Sequence, residues 1–482
     1  MKKTERFCKE HLSLLLGLYL VMQPLLDLLT ALGMRSDAAV TAGTVVRVLF
    51  LCFAVAVLLT LPDFPGRRGC RIALLCLAVY FAAFLAVTYA AGGYACLRDN
   101  LRDAGKALYV PIAALLLFAA YRAYGTKIPD WAIALAGALY AFVILLAVVT
   151  GTSQYSYRTG FGYKGWFYAA NEVSCILAIA CPVTAYVCLD RLKNRAWRRF
   201  PAVAAIVLAL VSVAFSASYL GTKIVFAFLA LYAVLTLVWC LVHAMKTRRG
   251  ALQAAAAGAL TALTLLLFLS SPLSSYMDNV YLARLGLSSD EIAAVWNTAP
   301  TDAAEGVEVG VNETAVAAAA ASEGTWLRER IAASDALQKL DSILSRRLLN
   351  ASPAVEEYRN GPLLRKLFGI GYANADCYGR RIDFMIELDG LNHLIRHGIV
   401  GFLLLFLPYV LVVMHLVIAF FRRPAATLRS LRRSTFLYAA LAAFAISLLA
   451  GHVLTAPAVG IFMLAVTAGA LEPPEEAAET EN

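Results

Sequence analysis

Apolar runs of about bilayer length recur along this chain and constrain its fold more than any other feature. Each run is close to the roughly 20 residues that an α-helix needs to cross the hydrocarbon core. The runs fall at 12–31, 38–61, 72–91, 104–121, 131–150, 168–189, 201–217, 222–243, 251–270, 392–421, 435–451 and 456–471. The sequence therefore predicts an all-α polytopic membrane protein with about twelve transmembrane helices.

The overall composition supports a membrane protein. Of the 482 residues, 61% are hydrophobic and 15% are charged, and the mean hydropathy is +0.71, which soluble domains of this length do not reach. The net charge of +10 does not indicate nucleic-acid binding, because the basic residues recur in short loops between apolar runs. Most of the ten cysteines lie inside those runs and no CxxC pattern occurs. We therefore expect no metal, no cofactor and no nucleic-acid partner.

The distribution of Lys and Arg predicts how the chain is oriented. These residues cluster at the N-terminus and in every second loop, and such loops face the cytoplasm. Residues 1–270 then hold transmembrane helices 1–9, and residues 271–391 form a large extracytoplasmic loop. Residues 392–471 hold helices 10–12, and residues 472–482 form an acidic cytoplasmic tail. We expect a multi-pass protein of the cell membrane with both termini in the cytoplasm.

Polar residues in the predicted spans lie toward the outer ends of the helices. Arg47 is in the outer half of helix 2, Asn171 and Glu172 begin helix 6, and Lys223 begins helix 8. His452 lies between helices 11 and 12. Because ionisable groups are costly in a bilayer, this one-sided placement is informative. It favours a cavity open to the outer leaflet, whereas a transport path needs polar lining near the midplane.

Two further segments supply groups suited to catalysis. The loop before helix 6 is rich in glycine, aromatic residues and cations, among them Arg158, Tyr163 and Lys164. A guanidinium presents a planar fork that suits phosphate oxygens. Glu387 and Asp389 end the large loop, where a carboxylate can serve as a general base, with Glu387 the first candidate. The aromatic residues are also typical of an interfacial belt, and the carboxylates of a helix N-terminus.

At these residues the chain resembles the O-antigen ligase and polymerase superfamily of bacterial polysaccharide assembly, whose plan has a large external loop between helices 9 and 10. The matching segments are Arg158-Thr159-Gly160, Phe167–Glu172, Gly221-Thr222-Lys223, Leu344–Arg347, Leu367–Tyr372 and Glu387-Leu388-Asp389. Gly-Thr-Lys and Glu-x-Asp are typical of the branch common in Gram-positive bacteria. At Glu387 the chain departs from lipopolysaccharide ligases, which carry a histidine there. The resemblance therefore favours polymerisation, or ligation to an acceptor other than lipid A core.

The resemblance implies a metal-independent glycosyltransferase. Such an enzyme polymerises or ligates undecaprenyl-pyrophosphate-linked glycans at the outer face of the cytoplasmic membrane, for capsule, exopolysaccharide or another surface polysaccharide. Its partners would be the lipid-linked oligosaccharide donor, a glycan or cell-surface acceptor, and the lipid bilayer.

The resemblance and the residue types together nominate a set of site residues. The predicted catalytic residues are Glu387, Arg158, Arg347 and Asp389. The predicted substrate-binding residues are Arg346, Lys164, Asn171, Glu172, Lys223, Arg47, Tyr163 and Tyr372. Arg346 stands where the family has a glycine, so either Arg346 or Arg347 is the functional arginine of that segment.

Two other functions are compatible with a chain of this kind. A transporter or flippase of lipid-linked oligosaccharide also suits twelve helices, but it should show matching halves, and no half-to-half repeat is evident. A non-catalytic partner in a polysaccharide machine would be inactive with a verified donor. Within the favoured class, polymerase and ligase are both open interpretations.

Overall fold

The computed structural model describes residues 3–36, 41–156, 162–193, 200–246, 250–269, 271, 326–344, 347–372 and 386–472. The first part of the bundle comprises α1 (Lys3–Val21), α2 (Gln23–Arg35), α3 (Ala42–Thr60), α4 (Arg67–Tyr124), α5 (Asp130–Val149), α6 (Ala170–Lys193), α7 (Phe200–Tyr219), α8 (Lys223–Lys246) and α9 (Gly250–Leu269). Between α5 and α6, strands β1 (Gln154–Tyr155) and β2 (Tyr163–Gly165) pair antiparallel. This part of the chain is therefore helical apart from one small hairpin.

Short helices follow before the chain returns to the bundle. They are α10 (Trp326–Ala332), α11 (Asp335–Ile343), α12 (Arg347–Asn360) and α13 (Leu363–Phe368). The last part contains α14 (Asp389–Gly401), a π-helical segment (Phe402–Phe406), α15 (Leu407–Arg422), α16 (Pro424–Leu428), α17 (Leu431–Leu449) and α18 (Pro457–Leu471).

The apolar helices confirm an all-α polytopic membrane fold. In the described residues, nine helical segments are long and apolar enough to cross a bilayer, and α1 with α2, bent by 41°, would make a tenth. Two shorter apolar segments, Ala204–Tyr219 and Pro457–Leu471, coincide with the seventh and twelfth predicted runs. The count of twelve and the large external loop remain predictions.

The long helix α4 contains two of these spans in one helical stretch. The sequence predicts separate helices 3 and 4, and the spans are Arg67–Ala91 and Asn100–Tyr124. In a straight helix, Thr88 and Asn100 would lie about 18 Å apart. In the structure, however, both side chains approach Gly371. A Cβ added to Gly371 would lie 2.5 Å from Asn100 Oδ1 and 3.1 Å from Thr88 Cγ2, so these two side chains are close to each other. The chain therefore turns back on itself between Thr88 and Asn100, so the two spans form a hairpin.

Helix α6 lies at the centre of the bundle and packs against α5, α7, α8, α9, α17 and α18. In lipid there is little hydrophobic drive between helices, so small residues that allow close approach stabilise their packing. Gly137 on α5 is such a residue: a Cβ there would lie 2.5 Å from the Cβ of Ala180 on α6. This packing around α6 determines which helix ends meet, and so where a site can form.

A small apolar cluster attaches the short helices to the bundle. Ala351 and Ala354 of α12 are buried together with Ile370, Ile386 and Ile395. The cluster holds α12 and the segment after α13 against the first turns of α14. It thereby places Arg347, the first residue of α12, beside the start of α14.

Helix α14 is broken at Gly398, whose φ of 69° and ψ of −174° are not helical. The segment Leu367–Tyr372 lies against this break. The amides of Ile370 and Gly371 donate to the carbonyls of Ile395 and Arg396 at 3.0 and 3.1 Å. A Cβ on Gly369 would lie 2.2 Å from the Arg396 carbonyl oxygen. Close contact with backbone therefore explains Gly369, and close contact with the side chains of Asn100 and Thr88 explains Gly371.

Candidate functional site

Charged side chains of the bundle gather at its two opposite ends. We call one group the loop-end cluster; it contains Arg47, Glu172, Arg347, Glu387 and Asp389. We call the other the tail-end cluster; it contains Lys127, Asp130, Arg432 and Glu472. The sequence places the first group outside and the second inside the cell. The contacts agree with this grouping, while the orientation in the cell remains a prediction.

Arg347 and Glu387 form an ion pair in the loop-end cluster. Arg347 Nε donates to Glu387 Oε2 at 2.5 Å, and Arg347 Nη1 lies 3.4 Å from the carbonyl oxygen of Leu449. The side chains are 13% and 31% exposed, respectively. Among the described residues, neither Arg347 Nη2 nor Glu387 Oε1 has a hydrogen-bond partner. The pair therefore has one donor group and one acceptor atom left for a ligand.

Asp389 is placed very differently, although it is only two residues from Glu387. Asp389 is 1% exposed. It is the first residue of α14 and follows Leu388, whose backbone is extended. Oδ2 accepts from Ser447 Oγ at 3.0 Å and from two backbone amides at 2.9 Å, and Oδ1 accepts from a third amide at 2.9 Å. Since a carboxylate has about four lone-pair sites, this set nearly saturates it. These contacts indicate that the Asp389 carboxylate holds the backbone that donates to it in place.

The backbone amides bound by Asp389 belong to the connection between α17 and α18. They are the amides of His452, Val453 and Leu454. Just before this connection, the carbonyl of Leu449, the last residue of α17, lies 3.4 Å from Arg347 Nη1, and within the connection Gly451 packs on the Glu387 carbonyl. The end of α17 and the turn after it therefore contact Arg347, Glu387 and Asp389, three of the four predicted catalytic residues.

Arg47 and Glu172 lie beside that turn. Arg47 Nη2 donates to Asp27 Oδ1, and Tyr140 Oη donates to the other oxygen of Asp27. Glu172, half-buried in the first turn of α6, lies within electrostatic range of Asp27, Arg47 and His452. Asn171 precedes it and is also half-buried. Arg47 is therefore engaged by Asp27, and Glu172 interacts electrostatically with both of these residues.

Tyr372 anchors a buried polar chain next to the break in α14. Its hydroxyl lies 2.8 Å from His397 Nε2, and His397 Nδ1 lies 2.8 Å from the hydroxyl of Tyr80. Its amide donates to Asn100 Oδ1 at 2.6 Å, and the guanidinium of Arg396 lies 5.5 Å from its ring centroid. Burial raises the pKa of the Tyr372 phenol. These contacts lock the segment after α13 to α4 and α14.

Tyr163, Lys164 and Lys223 lie in a separate region around the β1–β2 hairpin. Lys164 Nζ donates to the Tyr168 carbonyl at 2.9 Å, and burial together with the Arg35 cation lowers the pKa of its ammonium group. The Tyr163 ring stacks on Tyr219 at 6.1 Å. Lys223 is exposed at the first residue of α8. No direct contact joins these three residues to Arg347 or Glu387 within the described chain.

Two predicted site residues, Arg158 and Arg346, lie outside the described residues. The ends of the hairpin next to Arg158 are described. Gly162, with a φ of 71°, packs so closely on the turn between α7 and α8 that a Cβ would lie 2.4 Å from the Leu220 carbonyl oxygen. The described end of the hairpin at Gly162 therefore lies against the α7–α8 turn, where the Gly221-Thr222-Lys223 segment lies.

A cavity of about 430 Å³ opens elsewhere, among α4, α15 and α18. Its walls are mainly apolar, with Lys127 and Glu472 at one end, and none of the predicted site residues lines it. It lacks the convergent polar groups that orient a reacting substrate. In the described ranges, no group of three or more His, Cys, Asp or Glu side chains could hold a metal ion.

Several residues that build the loop-end cluster were not singled out from the sequence. Tyr140 and Ser447 each donate to a buried carboxylate, and Asn100 accepts from the amide of Tyr372. A lone hydroxyl in an apolar run, such as Ser447, gives little signal because many such residues bond their own helix. Asn100 gave a stronger signal, since it follows Arg98 and Asp99 between two spans.

The fold and the clustered charges define a polytopic membrane protein with a polar site at one end of its helical bundle. The chain belongs to the family of O-antigen ligase like membrane proteins, whose model matches residues 9–472. No individually curated protein matches the chain. The family supports a membrane glycan ligase or polymerase, a glycosyltransferase-like enzyme with lipid-linked glycan and acceptor partners.

Proposed function

We propose that this protein transfers glycans from undecaprenyl pyrophosphate to a glycan or other cell-surface acceptor at the outer face of the cytoplasmic membrane. The product is capsule, exopolysaccharide or another surface polysaccharide, and both termini of the chain lie in the cytoplasm. One observation carries the proposal: the Arg347–Glu387 pair, with an open donor and an open acceptor, in a half-buried site at the end of the bundle.

The chemistry needs a proton acceptor and a cation. The bond between the anomeric carbon and the pyrophosphate oxygen breaks, and the acceptor hydroxyl oxygen bonds to that carbon. The hydroxyl proton goes to a general base, and the electron pair of the broken bond stays on the pyrophosphate. Glu387 is the proposed base, and Arg347 stabilises the departing pyrophosphate through charge-assisted hydrogen bonds.

The observed pair supports both roles at once. Glu387 Oε1 is open to an acceptor hydroxyl, and Arg347 Nη2 is open to a phosphate oxygen, while the Nε–Oε2 contact of 2.5 Å keeps the two side chains in place. Arg158 supplies a second guanidinium in this proposal, so that two arginines stabilise the negative charge on the leaving pyrophosphate without a metal ion.

Between the two carboxylates of the Glu-Leu-Asp segment, the base is assigned to Glu387. Asp389 already accepts from two hydroxyls and three amides, and it is almost fully buried. Taking a proton would cost it some of these hydrogen bonds. Asp389 therefore serves catalysis by holding the α17–α18 connection against the site.

The deciding experiment is Glu387→Gln with the donor itself. If the proposal holds, we expect a strain that lacks the protein to accumulate the lipid-linked glycan, which can be purified and supplied to the protein in detergent. We expect donor consumption to fall about 100-fold or more, since general bases contribute roughly 10²–10⁴-fold. The melting temperature should stay close to that of the unmodified protein, because Gln keeps the shape of the side chain.

Glu357→Gln is the matched control. Glu357 pairs with Arg365 at 3.2 Å in the same group of short helices, and the two side chains are 23% and 21% exposed. This variant should consume donor at a near-normal rate. Normal turnover by Glu387→Gln would remove Glu387 from the reaction, and an unmodified protein that never consumes a verified donor would overturn the proposed function.

A further inference from the structure

The short helix α13 presents two adjacent leucines on its surface. Leu363 is 71% exposed and Leu364 is 58% exposed. Single exposed leucines are common on soluble proteins, but an exposed apolar pair in a membrane protein has a different meaning if lipid surrounds it. The depth of α13 relative to the membrane spans therefore decides what these two side chains contact.

Contacts with α4 and α14 place the end of α13 beside two membrane spans. The ring of Phe368, the last residue of α13, stacks on Tyr80 with the centroids 6.4 Å apart. Tyr80 lies near the middle of the span Arg67–Ala91, about 16 Å from its C-terminal end. A Cβ on Gly398, inside the span that begins with α14, would lie 2.4 Å from the Leu367 carbonyl oxygen. The end of α13 therefore lies at the depth of the spans and below their loop-end termini.

The backbone around α13 has the partners that such a depth requires. In hydrocarbon each backbone polar group needs a hydrogen bond, and non-helical backbone is tolerated there only where protein covers it. The Gly369 amide donates to the Arg365 carbonyl at 2.7 Å, and the next two amides donate to carbonyls of α14. The Lys366 carbonyl accepts from Tyr358 Oη at 2.8 Å. The non-helical residues after α13 are thus bonded to protein.

The charges of α13 are also compatible with a position at the edge of the bilayer. Arg365 Nη1 lies 3.2 Å from Glu357 Oε1, so these two charges neutralise each other. Lys366 is exposed. A lysine can lay its apolar stem along a hydrophobic surface and keep its ammonium group at the headgroups. Neither cation therefore prevents the leucines from entering lipid.

We propose that α13 and the residues after it, up to Tyr372, form a re-entrant membrane element. In this proposal Leu363 and Leu364 insert among the lipid chains of the leaflet on the side of the loop-end cluster. The partner of this surface is the hydrocarbon of that leaflet. The region predicted as an extracytoplasmic loop would thus return into the bilayer before α14 begins. The proposal does not depend on glycan transfer.

Spin labels measure what surrounds the two leucines. Leu363→Cys and Leu364→Cys, each in a variant without the ten native cysteines, carry a nitroxide in phosphatidylcholine nanodiscs. Collision rates of the label with oxygen, which concentrates in hydrocarbon, and with a water-soluble nickel chelate are compared. Val79→Cys, 61% exposed on the same span as Tyr80, is the lipid reference, and Lys339→Cys, exposed on α11, is the matched reference outside α13. We expect both α13 labels to show an oxygen-to-nickel ratio several-fold above that of Lys339→Cys and close to that of Val79→Cys.

A second measurement uses the protein with its native cysteines. Leu364→Asp should lower the melting temperature in the same nanodiscs, because a carboxylate is costly in hydrocarbon. Lys339→Asp is the control and should leave the melting temperature unchanged. An unchanged melting temperature for Leu364→Asp would contradict insertion of this helix.

The labels also distinguish lipid from the other possible surroundings. A nickel accessibility at position 364 equal to that at position 339 would place α13 in water and overturn the proposal. Low accessibility to both reagents would show that protein covers the leucines, which would overturn it as well. Failure of the unmodified protein to consume a verified donor would overturn the proposed function and leave the re-entrant element standing.

Discussion

The two charged clusters at opposite ends of the bundle differ in how completely their groups are paired. In the tail-end cluster, Arg432 binds Asp130 through two nitrogens at 2.7 and 2.8 Å and Glu472 through a third at 2.9 Å. Lys127 also binds Glu472, at 2.8 Å. In the loop-end cluster, Arg347 and Glu387 share one hydrogen bond and keep open atoms.

This difference distinguishes a structural ion-pair network from a binding site. A planar guanidinium that meets two carboxylates has few donors left, and its role is to join helices. Arg432 joins α5, α17 and the residue after α18 in this way, and it also lies 4.5 Å above the ring of Phe436. In the loop-end cluster Asp389 is nearly saturated, but Arg347 and Glu387 have fewer bonds than Arg432 and its partners, as expected where a ligand supplies the missing partners.

The largest expected effect comes from Asp389→Ala, which removes the group that organises the loop-end cluster. The buried amides of Val453 and Leu454 and the buried hydroxyl of Ser447 lose their acceptor, as do the half-buried His452 amide and Thr455 hydroxyl. Each unsatisfied buried group costs about 1–3 kcal/mol, so we expect the three buried groups to cost roughly 3–9 kcal/mol in all, with no glycan transfer. Thermal unfolding in detergent measures this loss. An unchanged melting temperature would show that the turn does not depend on Asp389.

The second effect concerns Arg347→Ala and tests whether the open pair is catalytic. Losing a charge-assisted contact to the departing pyrophosphate should cost about 2–4 kcal/mol, or roughly 30- to 1000-fold in rate. Lys should rescue poorly because it lacks the planar fork. Donor consumption is the measurement, and Arg365→Ala in the neighbouring ion pair is the matched control. A rate near normal for Arg347→Ala would remove it from the site.

The two arginines outside the described residues belong to the same test. Arg158→Ala should lower the rate as much as Arg347→Ala if both guanidiniums contact the pyrophosphate. Arg346→Ala decides which arginine of the adjacent pair matters, and we expect its rate to stay within a few-fold of normal. A severe loss in Arg346→Ala with normal activity in Arg347→Ala would reverse the assignment.

The smallest effects are expected in the tail-end cluster, and they complete the comparison. Arg432→Gln should lower stability by about 1–3 kcal/mol, since it breaks hydrogen bonds between charged groups. Lys127→Gln should cost less than about 1 kcal/mol, because the Lys127 side chain is 48% exposed. Both should transfer glycan within a few-fold of normal. A large loss of turnover at unchanged stability would show that this end also takes part in the reaction.

The membrane fold was predictable from the sequence because apolar runs of about 20 residues have few alternatives to spanning a bilayer. The two spans of α4 were predicted as separate helices, and the hairpin between Thr88 and Asn100 agrees with this. That the residues around the bend are themselves helical was not predicted, since the charged and amide residues within 98–103 resemble a loop. Local polarity could not reveal that this connection is covered by the segment at Gly371.

The sequence predicted which residues belong to the candidate site better than it predicted how they are arranged. Spacing placed Glu387 and Asp389 at the start of a helix, but it could not show that their side chains enter different surroundings. That difference depends on Leu449 and the turn after it, about 60 residues further along the chain. The pairing of Arg47 with Asp27 joins α2 and α3, which pack on each other, so its geometry depends on how these two helices pack.

The break in α14 at Gly398 has a consequence for engineering this protein. In a bilayer, backbone groups at a helix break need partners, and here the amides of Ile370 and Gly371 supply them. The segment that precedes the helix is thus part of the same folding unit as the span itself. A chimera that exchanges only the residues between α9 and α14 would replace the donors of these hydrogen bonds and keep their acceptors. We therefore expect an exchange that runs from α12 through the π-helical segment to fold better than one that ends before α14.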